Sequence, residues 1–127
     1  MYLPDAHSPE ALRRVASNPH IWLTPFHEAE LANGIGQQVF RGLMSEADAD
    51  RTYKNIVANR SAWVLVDLPD SVFRTAVDLA RTHVPRLGTR TLDSIHVACA
   101  LELEAQQFWT FDERQAKLAK AAGLKVS

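Results

Sequence analysis

Two aspartates lie in parts of the sequence that otherwise predict burial. Asp93 falls near the beginning of the mostly apolar segment 92–103, and Asp112 directly follows the apolar run 108–111. An ionised carboxylate in apolar surroundings is costly unless charged or hydrogen-bonding partners accompany it. Each acid also has a purely structural explanation, because Asp93 falls in the first turn of a predicted helix and Asp112 is placed to cap the next one. Taken alone, Asp112 is better explained as a helix cap than as a catalytic group.

A third acid is predicted on the helix that begins at Pro25. Glu28 and Glu30 are two positions apart on this helix, so their side chains point in different directions. One of them is expected to face the sheet and the other the solvent. Periodicity alone leaves open which of the two faces the sheet.

Three carboxylates at one edge of a sheet would repel one another, and a divalent cation would remove that repulsion. Mg²⁺ and Mn²⁺ prefer oxygen ligands, and such an ion can activate a water molecule and neutralise charge on a phosphodiester. Together the acids predict a metal-dependent phosphodiesterase site, with capping as the competing explanation for each acid singly.

The histidines and the cysteine are weaker candidates. His27 shares a helical face with Glu30, and His96 shares one with Asp93, which makes a carboxylate–histidine metal site conceivable. His96 is better explained as a hydrogen-bonded core histidine, and the single cysteine, Cys99, as a small core residue.

Helices and short apolar strands that alternate along the chain must position these residues. The predicted helices cover residues 8–17, 25–43, 45–61, 70–83, an apolar segment capped by Thr91, and 112–123. The predicted strands cover residues 20–24, 62–68, 107–111 and 124–126, and residues 84–90 are predicted to be a loop. This order predicts a parallel sheet with helices on both faces, which binds ligands at the carboxyl ends of its strands.

Length and composition limit the class of protein. A chain of 127 residues is expected to form one domain, and 46% hydrophobic residues can supply its core. The net charge of −1 argues against coating nucleic acid by bulk charge, so any such contact must be local. The longest apolar runs fall well short of the ~18 residues of a membrane helix, and the expected location is the cytoplasm.

Three segments in succession resemble the motifs of PIN-domain proteins, in particular the VapC-like toxins of bacterial toxin–antitoxin pairs. These segments are TPFHEAELANGI, LGTRTLDSIHVACAL and FWTFDERQAKLAKAAGL. Leu-Asp-x-x-His-x-Ala in the second segment is the most telling, and Thr-Phe-Asp-x-Arg-Gln in the third supports it in order and distance.

The resemblance implies a three-layer α/β/α fold and a metal-dependent endoribonuclease that uses Mg²⁺ or Mn²⁺. By motif position, it implies that Glu30, Asp93 and Asp112 hold the metal and are catalytic. Thr110 takes the place of a small hydroxyl residue near the metal. The implied partners are RNA, a small antitoxin protein and a second copy of the chain. Next to the acids, Arg90 and Arg114 are candidates for contacts with RNA phosphates, although each is also explained as a solvated surface residue.

One family feature is missing from the sequence. The family opens with a central strand that ends in a metal-binding aspartate followed by Ser or Thr. Asp5 is a poor replacement, because Pro4 would interrupt a central strand. We therefore expect residues 1–127 to form a single PIN-like domain that lacks roughly its first ten residues, with the first central strand missing or replaced.

Two alternatives to a catalytic PIN-like domain remain open. The chain could be a catalytically impaired, non-catalytic module that binds a partner or an antitoxin. It could also be an unrelated α/β domain whose three acids are caps and surface charges that lie far apart.

Overall fold

Five helices and two strands are delimited in the computed structural model, which describes residues 9, 10, 13, 17, 21–59 and 63–127. They follow in the order β1 (Trp22–Leu23), α1 (Pro25–Phe40), α2 (Glu46–Ala58), β2 (Val64–Leu65), α3 (Ser71–Leu87), α4 (Thr91–Glu102) and α5 (Glu113–Ala121). The chain divides into two compact units, Met1–Asp67 and Leu68–Ser127. The predicted helix over residues 8–17 lies mostly outside the described residues, and its four described positions are helical.

A parallel pair of short strands organises the first unit. Trp22 pairs with Val64 and Leu23 with Leu65, and the backbone N–H of Val66 donates to the Leu23 carbonyl at 3.0 Å. β-Branched and aromatic residues favour such a pair because they pack well on a pleated surface. Parallel strands need a crossover connection, which helices α1 and α2 supply here.

The beginning of helix α1 is fixed by its first residues. Pro25 occupies the first helical turn, where its missing N–H costs nothing. The N-cap Thr24 is buried, and its backbone N–H donates to His27 Nδ1 at 3.0 Å. This bond satisfies a backbone donor that the helix itself leaves open. His27 therefore has a structural role at this helix end.

Helices α3, α4 and α5 enclose the core of the second unit. Val72 of α3, Val97 of α4 and Leu118 of α5 are all fully buried and belong to one apolar cluster. Phe108 and Val126 pack against this cluster and form an isolated parallel bridge. Helix α4 is buried along most of its length, which explains why its sequence is apolar nearly all round.

Helix α3 is longer than predicted, and the loop expected at residues 84–90 is confined to residues 88–90. The helix continues through Pro85 to Leu87, and Gly88 ends it with a φ of 63°. Pro85 and the preceding Arg81 are exposed, so solvent can satisfy the carbonyl that the proline leaves unpaired. Glycine adopts the left-handed conformation without the steric penalty of a Cβ atom, so the chain can reverse there and lead into α4.

Two further predictions need correction. The N-cap of α4 is Arg90, and Thr91 is the first helical residue. The strands are shorter than predicted, and residues 107–111 contribute only the Phe108 bridge. Periodicity locates such apolar runs but not the number of ladder hydrogen bonds that they form.

The predicted fold class is confirmed as mixed α/β with parallel strand pairing. Within the described ranges, every helix falls short of the length and apolar character needed to cross a membrane.

Truncation of Leu118 tests the core of the second unit. We expect Leu118→Ala to lower the free energy of unfolding by about 2–5 kcal/mol, because it leaves a cavity at a fully buried site. The control Leu92→Ala removes the same atoms from a side chain that is 41% exposed, and it should cost about 1 kcal/mol or less. Urea unfolding followed by circular dichroism measures both. Equal losses would contradict the assignment of Leu118 to the core.

Candidate active site

Asp93 is a buried acid at the beginning of helix α4, with 2% of its surface exposed. As the third residue of the helix it reaches back to the N-cap, and its Oδ2 accepts the backbone N–H of Arg90 at 2.9 Å. This is the reciprocal bond of a capping box, here made by aspartate. The helix dipole also favours a negative charge at this end.

Asp112 is the N-cap of helix α5. Its Oδ1 accepts the backbone N–H groups of Arg114 at 2.9 Å and of Gln115 at 3.1 Å. The hydroxyl oxygen of Thr110 in turn accepts the backbone N–H of Asp112 at 3.0 Å. Thr110 thus lies against the site and helps to fix the Asp112 backbone. The capping role that the sequence predicted for Asp112 is confirmed, but it uses only one of the two carboxylate oxygens.

The Arg90 guanidinium joins the two acids. Its Nε lies 3.3 Å from Asp93 Oδ2, and its Nη2 lies 3.0 Å from Asp112 Oδ2. Gln115 adds a second connection, because its Nε2 donates to Asp93 Oδ1 at 3.4 Å. Two of the three predicted acids therefore meet at one place, where the beginnings of α4 and α5 come together.

The charge on Asp112 is stabilised by its surroundings. The backbone hydrogen bond from Gln115, helped by the one from Arg114 and by the Arg90 and Arg114 charges, lowers the pKa of the Asp112 carboxyl despite partial burial. Asp112 therefore remains ionised at neutral pH and can attract a cation.

The donor set fits a hard divalent cation. Mg²⁺ and Mn²⁺ are usually held by one or two carboxylates together with water. Asp93 and Asp112 supply two carboxylates whose Oδ2 atoms already face one cationic group, and they are the residues that would hold such an ion. Among the described residues, no group of three or more His, Cys, Asp or Glu side chains is arranged to hold a metal.

Glu30 belongs to the first unit, whereas Asp93 and Asp112 belong to the second. It is exposed on helix α1, and Glu28 is half-buried there. The participation of Glu30 in the site stays a prediction. Arg114 is exposed and lines an open depression of about 490 Å³ together with Arg90, Asp112 and Glu113.

The two remaining candidates from the sequence, His96 and Cys99, are buried on helix α4. His96 is 5% exposed on α4, as expected for a core histidine. Cys99 is buried, and this burial raises the pKa of its thiol to about 11, so the thiolate is scarce at neutral pH.

Two roles are not predicted by the sequence. Gln115 lies three residues after a helix cap, which indicates that its backbone N–H binds the cap, but its side-chain contact with Asp93 has no local signal. The guanidinium of Arg90, a candidate for a phosphate contact, also bridges the two acids. The spacing Arg90–Asp93 signals the local bond, but nothing in the sequence signals the bond to Asp112.

Substitution of Asp112 by asparagine separates its charge from its capping role, since asparagine also caps helices well. The folded-state pKa of Asp112 lies below its unfolded value, so its contribution to stability is present above about pH 4 and is lost as pH falls through the folded pKa. We expect the wild type to lose more free energy of unfolding than Asp112→Asn between pH 7 and pH 3. The difference should stay below about 1 kcal/mol, because the side chain is 39% exposed.

Urea unfolding at both pH values measures this difference, with Glu113→Gln as a control that removes an exposed neighbouring acid. Parallel pH profiles for the wild type and Asp112→Asn would show that the charge of Asp112 does not contribute to the free energy of unfolding.

Comparison with known proteins identifies the family of the chain. No curated protein matches the chain. The PIN domain family matches residues 2–121, which is nearly the whole sequence. PIN domains are generally nucleases that use divalent metal ions, and the mixed α/β structure with parallel strands is consistent with their α/β/α fold. The chain therefore belongs to the PIN domain family.

Proposed function

We propose that the protein is a Mg²⁺- or Mn²⁺-dependent endoribonuclease of the VapC toxin type, acting in the cytoplasm. Its catalytic acids are Asp93 and Asp112, with Glu30 as the third. The observation that carries this proposal is the shared cation, because one guanidinium contacts the Oδ2 atoms of Asp93 and Asp112 at 3.3 and 3.0 Å. Two carboxylates that converge on one positive group support the proposal of a divalent-ion site at this position.

The positions of the two carboxylates are maintained by backbone groups. Asp93 is held by the N–H of Arg90, and Asp112 by the N–H groups of Arg114 and Gln115. These donors belong to helix ends that are anchored in the core, so the carboxylates need little reorganisation to bind a ligand. A preorganised arrangement of this kind lowers the cost of binding and of charge development.

A bound Mg²⁺ or Mn²⁺ would supply an activated water molecule and neutralise the charge that develops on the phosphate. The chain itself supplies the carboxylates that orient the ion and, with Arg114, a cation for the phosphodiester. The depression of about 490 Å³ lined by Arg90, Asp112, Glu113 and Arg114 offers room for a phosphate group beside the acids.

The substrate and the partners follow from the family resemblance. RNA is the proposed substrate, a small antitoxin protein the proposed regulator, and a homodimer the proposed assembly. Because the net charge of the protein is −1, RNA must be held by local contacts. Arg90 and Arg114 are the proposed local contacts.

A non-catalytic role is the second candidate, and one observation favours it. Arg90 already neutralises part of the charge on Asp93 and Asp112, so this part of the fold does not require a metal for its stability. In that case, the same surface would bind a partner protein and not cleave RNA.

Asparagine at position 93 tests the catalytic proposal. We expect the wild type to cleave single-stranded RNA when Mn²⁺ is added and to stop when the metal is chelated. Asp93→Asn should lower cleavage by about a hundredfold or more, because even residues that only support metal ligands contribute about 10- to 100-fold. Asparagine retains an oxygen for the Arg90 N–H, and circular dichroism should confirm the fold. Unchanged cleavage would remove Asp93 from the mechanism, and absence of both cleavage and Mn²⁺ binding in the wild type would favour the non-catalytic role.

The two glutamates of helix α1 provide a matched pair. Glu30→Gln should lower Mn²⁺-dependent cleavage by about tenfold or more if Glu30 supports the metal, whereas Glu28→Gln should change it by less than about twofold. Both substitutions remove one charge from the same helix, so they share any general effect of charge on RNA binding. A larger loss for Glu28→Gln would transfer the role to Glu28, and equal small effects would remove both.

A further inference from the structure

We propose that Arg90 is an internal counter-cation that a divalent metal ion must displace from Asp93 and Asp112. The inference rests on the metal site proposed above and adds that the metal binds in competition with this side chain. Arg90 would then set the metal concentration at which the site fills.

The geometry supports competition, because the guanidinium lies where a shared cation would lie. Nε and Nη2 of Arg90 contact the Oδ2 atoms of the two acids. The other oxygen of each acid has a different partner, Gln115 Nε2 for Asp93 and two backbone amides for Asp112. A metal that uses both Oδ2 atoms would therefore take the position of the guanidinium, beside the backbone N–H that Asp93 Oδ2 also accepts.

The side chain of Arg90 is able to leave. It is 64% exposed, and it borders the open depression described above. Its pair with Asp112 is exposed and therefore weak, because water screens both charges. When the guanidinium leaves, water solvates it, and the buried Asp93 keeps its hydrogen bonds from the Arg90 backbone and from Gln115. A divalent ion carries twice the charge in a smaller volume and binds carboxylates more strongly.

Departure of the guanidinium leaves the carboxylates in place. The backbone N–H of Arg90 still donates to Asp93, and the amides of Arg114 and Gln115 still donate to Asp112. A substitution at position 90 therefore removes the competing charge without removing the backbone donor. This separation makes the proposal testable.

The test is the affinity for Mn²⁺ alone, measured at pH 7 by calorimetric titration and by the electron paramagnetic resonance signal of free Mn²⁺. We expect Arg90→Gln to bind Mn²⁺ about three- to tenfold more tightly than the wild type, in line with the modest strength of exposed ion pairs. The control is Arg114→Gln, which removes the same charge from the lining of the same depression. The side chain of Arg114 makes neither bridging bond, so this control should tighten binding by less than about twofold.

A second variant and a second measurement test the competition in another way, and circular dichroism checks the folding of each variant. Arg90→Lys keeps the positive charge but lacks the planar fork, and its affinity should fall between those of the wild type and Arg90→Gln. In the wild type, the Nε–H resonance of Arg90 should lose its protection from solvent exchange when Mg²⁺ is added. Circular dichroism of each variant without metal should match the wild type.

Three results would overturn the proposal. Equal or weaker Mn²⁺ binding by Arg90→Gln would show that Arg90 does not compete, although the metal site itself would stand. Equal tightening by Arg114→Gln would assign the effect to long-range charge alone. Absence of Mn²⁺ binding in the wild type and in every variant would remove the proposed metal site together with this inference.

Discussion

The like charges on Asp93 and Asp112 are both in contact with one cationic side chain, Arg90, and the arrangement of the beginnings of α4 and α5 depends on that contact. Asp93 is 2% exposed, so its charge cannot rely on water and needs partners within the protein. The Arg90 backbone, the Arg90 guanidinium and Gln115 supply them. Without a cation between the acids, the same geometry would be repulsive. Whatever occupies this position, an arginine or a metal ion, decides whether the two helix ends attract or repel each other.

Capping and metal binding are compatible roles for these acids. At Asp112, Oδ1 caps the helix while Oδ2 faces the Arg90 guanidinium. At Asp93, Oδ2 accepts both the Arg90 backbone N–H, which fixes the side chain to the helix end, and the guanidinium Nε–H. The helix ends hold the acids in fixed positions, because α4 is buried along most of its length and α5 carries the fully buried Leu118. A functional acid that also caps a helix is held in one orientation at little additional cost in conformational entropy.

The sequence predicted the local features well, because they depend on neighbouring residues. The beginnings of α1 at Pro25 and of α5 after Asp112 follow from proline and aspartate at helix starts, and both are confirmed. The core role of Cys99 follows from its apolar surroundings. The end of α3 was missed, since Pro85 is tolerated in a last turn that faces solvent. The extent of the strands was missed because an apolar run does not specify how many ladder bonds form.

Contacts between distant residues account for the remaining differences. Arg90 and Asp112 are far apart in the chain, and only packing of α4 against α5 brings them within 3.0 Å. The guanidinium bridge therefore has no signature in either segment alone. The family resemblance pointed to Asp93 and Asp112, but it did not indicate that Arg90 contacts both of them.

Helix α5 serves two purposes within a few residues of each other. Asp112 and Gln115 at its first turn face the acids, while Leu118 and Ala119, one turn further on, fill the core. Close-packed interiors transmit strain, so a shift of Leu118 is passed along the helix to its first turn. Core packing thereby controls the spacing of charged atoms at the surface, and mutations that never touch the acids can still change that spacing.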